Sequence, residues 1–246
     1  MTLRLLSYNI RYGGVGREDA LARVIAAADA DVVMLQEATH PHVVDHLARA
    51  LGMTHHASRA RYSTGFLSRA SVERHAWHHP RDSHHAFLEL TLASGARIYG
   101  LHLVAWFSNW SERRRARELR ALLDGIREHQ TGFHVIAGDF NALAPGERLH
   151  VAKLPRWIQG MVWLSGRDIA RHTIQLMLDE RYVDAWRALH PLGDGWTFPT
   201  WDPHVRLDYL FTPQPYADRV TRCEVMRDLP SAREASDHFP LLIELT

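Results

Sequence analysis

Polar side chains of the kinds used in hydrolysis stand at the ends of apolar runs in this chain. In "GDFNALAPGE", Asp139 and Asn141 follow the apolar run "FHVIA" and stand two positions apart. Asn9 closes the run "LRLLSYN", and Glu37 closes "DVVMLQE". Similar placements recur later in the chain for four more side chains: His102, Asp208, Asp237 and His238. Each one alone fits a cap or a turn residue, but their recurrence indicates a shared site.

The residue types in this set point to metal-assisted acid–base chemistry. Hard oxygen ligands from Glu and Asp suit Mg²⁺ or Mn²⁺, whereas zinc prefers His and Cys. A histidine beside a carboxylate is the pairing of a general base with the group that orients it.

The elements that must position these residues are alternating strands and helices. Helical spacing of apolar residues predicts a helix around residues 21–28, a second one opened by Pro41, and a third over 119–126. Residues 147–190 are predicted to be mainly helical. Strands are predicted over "LRLLSYNI", "DVVMLQE", "AFLELTL", "ARIYGLHLV", "FHVIAGDF", "RLDYLF", "RCEVMR" and "FPLLIEL". Because hairpins and crossover helices are mixed, we expect two sheets packed face to face with helices outside, in one domain spanning 1–246.

The composition is that of an ordinary soluble protein. Of 246 residues, 46% are hydrophobic and 23% are charged, and the net charge is +1. Cys223 is the only cysteine, which excludes an internal disulfide and suits a reducing compartment. The first residues do not read as a signal peptide, and no apolar stretch reaches the roughly 18 residues of a membrane span. A cytoplasmic protein without an obligate protein partner is therefore expected.

Six motifs in order resemble a known family. The set "SYNIRYGG", "LQE", "GLHL", "GDFNA", "RLDYLF" and "SDHFP" runs over nearly the whole chain and resembles the endonuclease/exonuclease/phosphatase superfamily. The resemblance implies a DNase I-like α/β fold, a four-layer α-β-β-α sandwich of two mixed sheets flanked by helices. It also implies that the site lies at one edge of the paired sheets.

The resemblance implies a metal site and the residues that form it. Glu37 would be the principal ligand of Mg²⁺ or Mn²⁺, with Asn9 beside it. Asp237 would complete the metal side of the site. These are expectations carried over from the matching motif positions.

The same resemblance implies roles for the catalytic residues. Asp139 and Asn141 would orient the attacking water and hold a phosphate oxygen. Asp208 would fix the imidazole of His238, which acts as a base or a phosphate contact, and would raise its pKa. His102 would touch the phosphate from the other side.

The chain departs from the family pattern before the strand "GFLSR". Many members carry Gly-Asn where this sequence has Ser63 and Thr64, and the nucleases most like DNase I place a Glu nearby to pair with their counterpart of His102. No Glu lies between Arg59 and Arg69 here. This departure argues against double-strand DNase activity but not against phosphate hydrolysis.

Three further features have more than one reading. The histidine-rich stretch 75–85 matches no structural zinc pattern, so a solvated loop is favoured over a metal site or a phosphate-contacting rim. The arginine run 113–120 reads as a solvated face, with a phosphate contact as the alternative. Aromatic residues near the mouth of the site either stack on substrate or cap the fold: Trp106, Trp110 and Trp201.

The function predicted from these features is a divalent-metal-dependent phosphoesterase, with a small, single-stranded or end-type phosphodiester as the favoured substrate. One alternative is a nuclease or repair endonuclease acting on duplex nucleic acid, which the near-neutral charge disfavours. Another is a phospholipid or sugar-phosphate phosphatase. The last is an inactive binding module on the same fold. The expected partner is a phosphate-ester substrate, with nucleic acid among the candidates.

Overall fold

The computed structural model describes residues 2–81, 83–130, 132–166 and 168–246. In this part of the chain the strands form two six-stranded sheets. Strands and helices are numbered in chain order. In spatial order the first sheet contains β11 (Val220–Val225), β12 (Leu241–Leu245), β1 (Leu3–Asn9), β2 (Val32–Gln36), β4 (Thr64–Ser68) and β3 (His55–Ser58). The second contains β5 (Val72–His78), β6 (Phe87–Leu92), β7 (Arg97–His102), β8 (His134–Asp139), β10 (Asp208–Pro213) and β9 (Tyr182–Asp184).

Helices cover the outer faces of both sheets. Those near the first sheet are α1 (Glu18–Ala28), α2 (Pro41–Leu51) and α7 (Ala232–Ala235), and α1 contacts both of the others. Those beyond the second sheet include α3 (Asn109–Gly125) and α5 (His172–Asp179), which pack on each other. Two more helices complete the set: α4 (Arg156–Leu164) and α6 (Ala185–Leu189).

Alternating side chains divide the core into layers. Along β10, Leu210 packs into the core shared with the first sheet, whereas Tyr209 and Phe211 pack into the cluster under α3 and α5. Along β8, Val135 and Ile136 alternate in the same way. Since successive strand residues point to opposite faces, both faces of the second sheet are buried. The predicted four-layer α-β-β-α sandwich is confirmed.

The strand register brings the predicted site residues to one edge. β1 runs parallel to β2 and pairs Asn9 with Gln36, while β7 runs parallel to β8 and pairs His102 with Asp139. The antiparallel β10 begins at this edge, with Asp208 opposite Asp139. Because parallel strands end at the same edge, their polar ends meet there.

Residues 147–190 are mainly helical, as expected, with the helices α4, α5 and α6 and the short strand β9. Two other sequence expectations require correction. The histidine-rich stretch is not one solvated loop, because its first part extends β5 as far as His78 and pairs with β6. The arginine run is not wholly solvated, because Arg115 is buried. Strand pairing overrides the local pattern in the first case, and buried polar contacts to Glu112, Val104 and Trp106 override it in the second.

No helix in the described ranges combines the length and the apolar content needed to cross a bilayer.

Candidate active site

The carboxylate of Asp139 occupies the centre of the cleft at this sheet edge. Its Oδ2 accepts a hydrogen bond from Asn9 Nδ2 at 3.0 Å, which joins the two sheets. The Nε2 atoms of His102 and His238 lie 3.7 and 3.8 Å from the same oxygen. Both distances exceed a normal hydrogen bond, so both imidazoles retain hydrogen-bonding capacity for another molecule.

Backbone geometry at the end of β8 explains the sequence "GDFN". Gly138 has a φ of 151°, and a Cβ atom there would lie 2.0 Å from the carbonyl oxygen of Leu101. Glycine therefore allows β7 and β8 to approach closely beside Asp139. Asn141 adopts a φ of 50°, its N–H donates to Asp139 Oδ1 at 2.9 Å, and its Nδ2 donates to Leu103 O at 3.0 Å. This turn fixes the carboxylate and the amide relative to each other.

His238 and Asp208 form a buried pair. His238 Nδ1 lies 2.8 Å from Asp208 Oδ2, and both side chains are buried. Burial lowers the pKa of His238, but the carboxylates of Asp208 and Asp139 outweigh that effect and raise it above its ordinary value. The pKa of Asp139 is itself raised, chiefly by burial. The pair therefore places a cationic imidazole beside the central carboxylate.

His102 lies in a different environment. Its Nδ1 is 2.5 Å from the hydroxyl of Ser63, and its ring stacks on that of His85 with centroids 4.8 Å apart and planes 10° apart. Burial is the main cause that holds its pKa well below the ordinary value, and His85 and His238 add to it. His102 is thus a neutral imidazole at the edge of the cleft.

The predicted metal ligands lie beside this group. Glu37 Oε1 accepts from Asn9 Nδ2 at 3.3 Å, and Asp237 Oδ2 is 3.2 Å from Arg11 Nε. Asn9 Oδ1 accepts from the N–H of Arg11 at 2.9 Å, so its amide nitrogen is the end that faces the carboxylates. Glu37 and Asp237 both face the cleft and offer hard oxygen donors without a thiolate, which fits Mg²⁺ or Mn²⁺.

A second group of ligand atoms lies deeper. Single ligand atoms of Asp139, Asp208 and His238 lie within 4.8 Å of one another, a geometry in which the described residues could hold an ion. Because the carboxylates of Asp208 and Asp139 raise the pKa of His238, an ion at this second place would first require the loss of a proton from that imidazole.

The cleft has a volume of about 420 Å³ and partly aromatic walls. Trp106 and Trp157 form one wall, with their ring centroids 5.3 Å apart. Phe198 forms part of another and lies 4.9 Å from His238. Trp110 and Trp201 are exposed but do not line the cleft. The ring centroid of Trp201 lies 6.2 Å from that of Phe198, which does line it.

Buried charges behind the Trp106 wall hold its backbone. Arg115 pairs with Glu112 at 2.8 Å and donates to the carbonyl oxygens of Val104 and Trp106. Glu118 accepts from the N–H groups of His84 and Val104 at 2.9 and 3.3 Å. The acidic and basic residues of the arginine run thus fix two loops of the cleft from within.

Sequence reasoning missed several residues of this site. They are Ser63, His84, His85 and Phe198, which contact the predicted residues or line the cleft. The departure from Gly-Asn at Ser63 and the histidine-rich stretch were the only signals. Neither signal shows by itself that Ser63 and His85 contact His102.

The fold and the cleft agree with a match of the sequence to a known family. Residues 6–238 match the Endonuclease/Exonuclease/phosphatase family, and the chain belongs to this family. None of the curated proteins matches the chain in sequence.

Solved structures share the fold over nearly the whole chain. The 3′ phosphatase NExo from Neisseria, bound to a product DNA hairpin, is 20% identical with a TM-score of 0.75 over 99% of each chain. An AP endonuclease from Archaeoglobus fulgidus is 18% identical with a TM-score of 0.72 over 98% of each chain. An endonuclease/exonuclease/phosphatase from Beutenbergia cavernae is 20% identical with a TM-score of 0.72, over 99% of this chain and 71% of the other. At these identities the likeness concerns the fold.

Proposed function

We propose that the protein is a divalent-metal-dependent phosphoric ester hydrolase that favours a small, single-stranded or end-type phosphodiester. The observation that carries this proposal is the convergence of Asn9, His102 and His238 on one oxygen of Asp139, next to the carboxylates of Glu37 and Asp237. Family membership supports the same reaction class. An inactive binding module would not require this set of acids and bases in one cleft.

The residues divide the work of hydrolysis by position. A divalent cation held by Glu37 and Asp237 would supply charge neutralisation at the phosphate. Asp139 orients the attacking water, and Asn141 holds a phosphate oxygen. His238, held by Asp208 and kept charged, stabilises negative charge that develops on the phosphoryl group. His102 contacts the phosphate from the opposite side of Asp139.

The shape of the cleft supports a compact substrate. The Trp106 and Trp157 wall offers rings against which a base or another apolar leaving group packs. A nucleic-acid end is one such substrate, and the similar Neisseria 3′ phosphatase was solved with a product DNA hairpin. The near-neutral net charge of the chain does not favour a long duplex track.

The test is hydrolysis of bis(p-nitrophenyl) phosphate and of p-nitrophenyl phosphate, with EDTA and then with Mg²⁺ or Mn²⁺ added back. We expect EDTA to abolish turnover, each metal to restore it, and the diester to react faster than the monoester. Glu37→Gln should lose most of the activity while retaining the fold, whereas the exposed Glu128→Gln serves as the matched control. Full turnover in EDTA by metal-free protein, verified by elemental analysis, contradicts the proposal.

A further inference from the structure

The hydroxyl of Ser63 is buried between the imidazole of His102 and the backbone N–H of Glu37. Its Oγ lies 2.5 Å from Nδ1 of His102 and accepts a hydrogen bond from the N–H of Glu37 at 3.2 Å. The side chain is almost fully buried. Within the described part of the chain, these are the two hydrogen-bonding neighbours of this oxygen.

The arrangement determines which ring nitrogen of His102 carries hydrogen. A serine hydroxyl has one hydrogen to donate. If Nδ1 carried a hydrogen pointed at Oγ, the hydroxyl hydrogen would have no acceptor among the described residues, and an unsatisfied buried donor is unfavourable. The hydroxyl therefore donates to Nδ1, and the hydrogen of the neutral ring lies on Nε2.

The Nε2 atom then faces the cleft as a donor. It is 3.7 Å from Asp139 Oδ2, too far for a hydrogen bond to that carboxylate. His85 covers one face of the ring in a parallel stack. If both stacked imidazoles were protonated, their positive charges would repel each other. The Nε2–H group is free to donate to an oxygen of a bound ligand.

We propose that Ser63 is a positioning residue that holds His102 as the neutral imidazole with its hydrogen on Nε2, which donates to a non-bridging phosphate oxygen. The phosphate part of this statement rests on the proposed function. A carboxylate at the same place would accept from Nδ1–H and favour the charged ring. Ser63 imposes the opposite arrangement, so this chain contacts the phosphate with an uncharged donor at His102 and a charged one at His238.

The first test needs no activity. Two-dimensional ¹⁵N–¹H spectra of the histidine side chains at pH 7.5, assigned with His102→Gln, should show His102 with hydrogen on Nε2 and a bare Nδ1. Ser63→Ala should convert this pattern to a mixture of tautomers, and Ser63→Thr, which keeps the hydroxyl, should restore it. Ser68→Ala, which removes a buried hydroxyl from β4 away from the cleft, is the matched control. A hydrogen on Nδ1 in the unmodified protein overturns the proposal.

The second test asks whether Ser63 acts through His102. Ser63→Ala should lower kcat for bis(p-nitrophenyl) phosphate at least about tenfold, with KM changed less, because a transition-state donor is disturbed. In a His102→Ala background, Ser63→Ala should have little further effect. An equal loss in both backgrounds overturns the proposal, since Ser63 would then act separately. Absence of phosphoesterase activity in the unmodified protein would refute the proposed function, while the spectra still decide the tautomer.

Discussion

At the scale of single residues, the two imidazoles of the cleft have opposite partners. His238 donates to a buried carboxylate, whereas His102 faces a hydroxyl and the ring of His85. The carboxylates raise the pKa of His238, whereas burial lowers that of His102. Two residues of one type that flank the same carboxylate therefore favour different protonation states, because their environments differ.

Asp208 and His238 should act as one unit. We expect Asp208→Ala and His238→Ala each to lower kcat/KM on a chromogenic diester by about 10²–10⁴-fold. The double variant should be little worse than the worse single variant, since paired catalytic groups are non-additive. His78→Asn, which breaks the histidine–carboxylate pair with Glu89 outside the cleft, is the control. Losses that simply multiply would show that the two residues work independently.

His134 should make stability depend on pH without involving the cleft. Its Nδ1 lies 2.8 Å from Gly132 O and its Nε2 lies 2.8 Å from the Tyr182 hydroxyl, so the folded protein holds a neutral ring. Burial lowers its pKa below the value of about 6.5 expected in the unfolded chain. Protons then bind preferentially to the unfolded state, and this group costs stability progressively as the pH falls below about 6.5.

The measurement is the free energy of unfolding in urea at pH 7.5 and pH 5. The unmodified protein should lose more stability between these values than His134→Gln does, because the variant lacks the titrating ring. An equal loss in both proteins would show that protonation of His134 is not coupled to unfolding.

At the scale of elements, α3 joins the helical layer to the walls of the cleft. Glu112 faces inward, accepts a hydrogen bond from Thr173 N at the start of α5 and pairs with Arg115. Arg115 in turn donates to the carbonyl oxygens of Val104 and Trp106. Trp106 adopts a φ of 94°, which is unusual for a residue with a side chain. The buried ion pair thus stabilises a strained loop that presents an aromatic ring at the cleft.

Removing one member of this pair should be costly. Arg115→Met leaves the Glu112 carboxylate buried without its partner and should lower the free energy of unfolding by about 3–5 kcal/mol. Arg113→Met, an exposed position on the same helix, should change it by no more than about 0.5 kcal/mol. The comparison is made by urea denaturation of the two variants, and similar effects would mean that the buried pair does not stabilise α3.

At the scale of the whole molecule, the two sheets place their polar strand ends in one compact cleft. Its aromatic wall is local, and the outward arginines of α3 lie on one helix in a chain whose net charge is only +1. A groove for a long duplex requires positive charge along many phosphates, and its affinity falls steeply with salt. The architecture therefore favours a short ligand with one phosphate site.

We expect weak or no nicking of duplex plasmid at physiological salt, and faster turnover of a short phosphodiester with an aromatic leaving group. Trp106→Ala should raise KM more than it lowers kcat, because the wall binds ground state and transition state alike. Trp163→Ala, at a similarly exposed position outside the cleft, is the control. Efficient plasmid nicking that is insensitive to Trp106→Ala would instead indicate a general nuclease.

The sequence by itself determined most of the elements and the family. Apolar periodicity predicted α1, α2 and α3 and nearly all the strands beside the cleft, because these patterns depend on neighbours only a few residues apart. The ordered motifs predicted the family and the sandwich, and the family match and the fold confirm both. Strand ends are marked by local polar residues, so Asp139, Asn9 and His102 could be expected to lie at one edge.

Tertiary structure alone decided the partners of these residues. Ser63 meets His102 across 39 positions of sequence, and the histidine-rich stretch becomes partly a strand because β6 pairs with it. Arg115 is buried where it pairs with Glu112 and donates to the carbonyl oxygens of Val104 and Trp106. Trp157 rather than Trp110 lines the cleft. Such contacts join distant segments, and neither periodicity nor local composition records them. The packing of the layers determines these contacts, because it decides which side chains are buried and which remain hydrated.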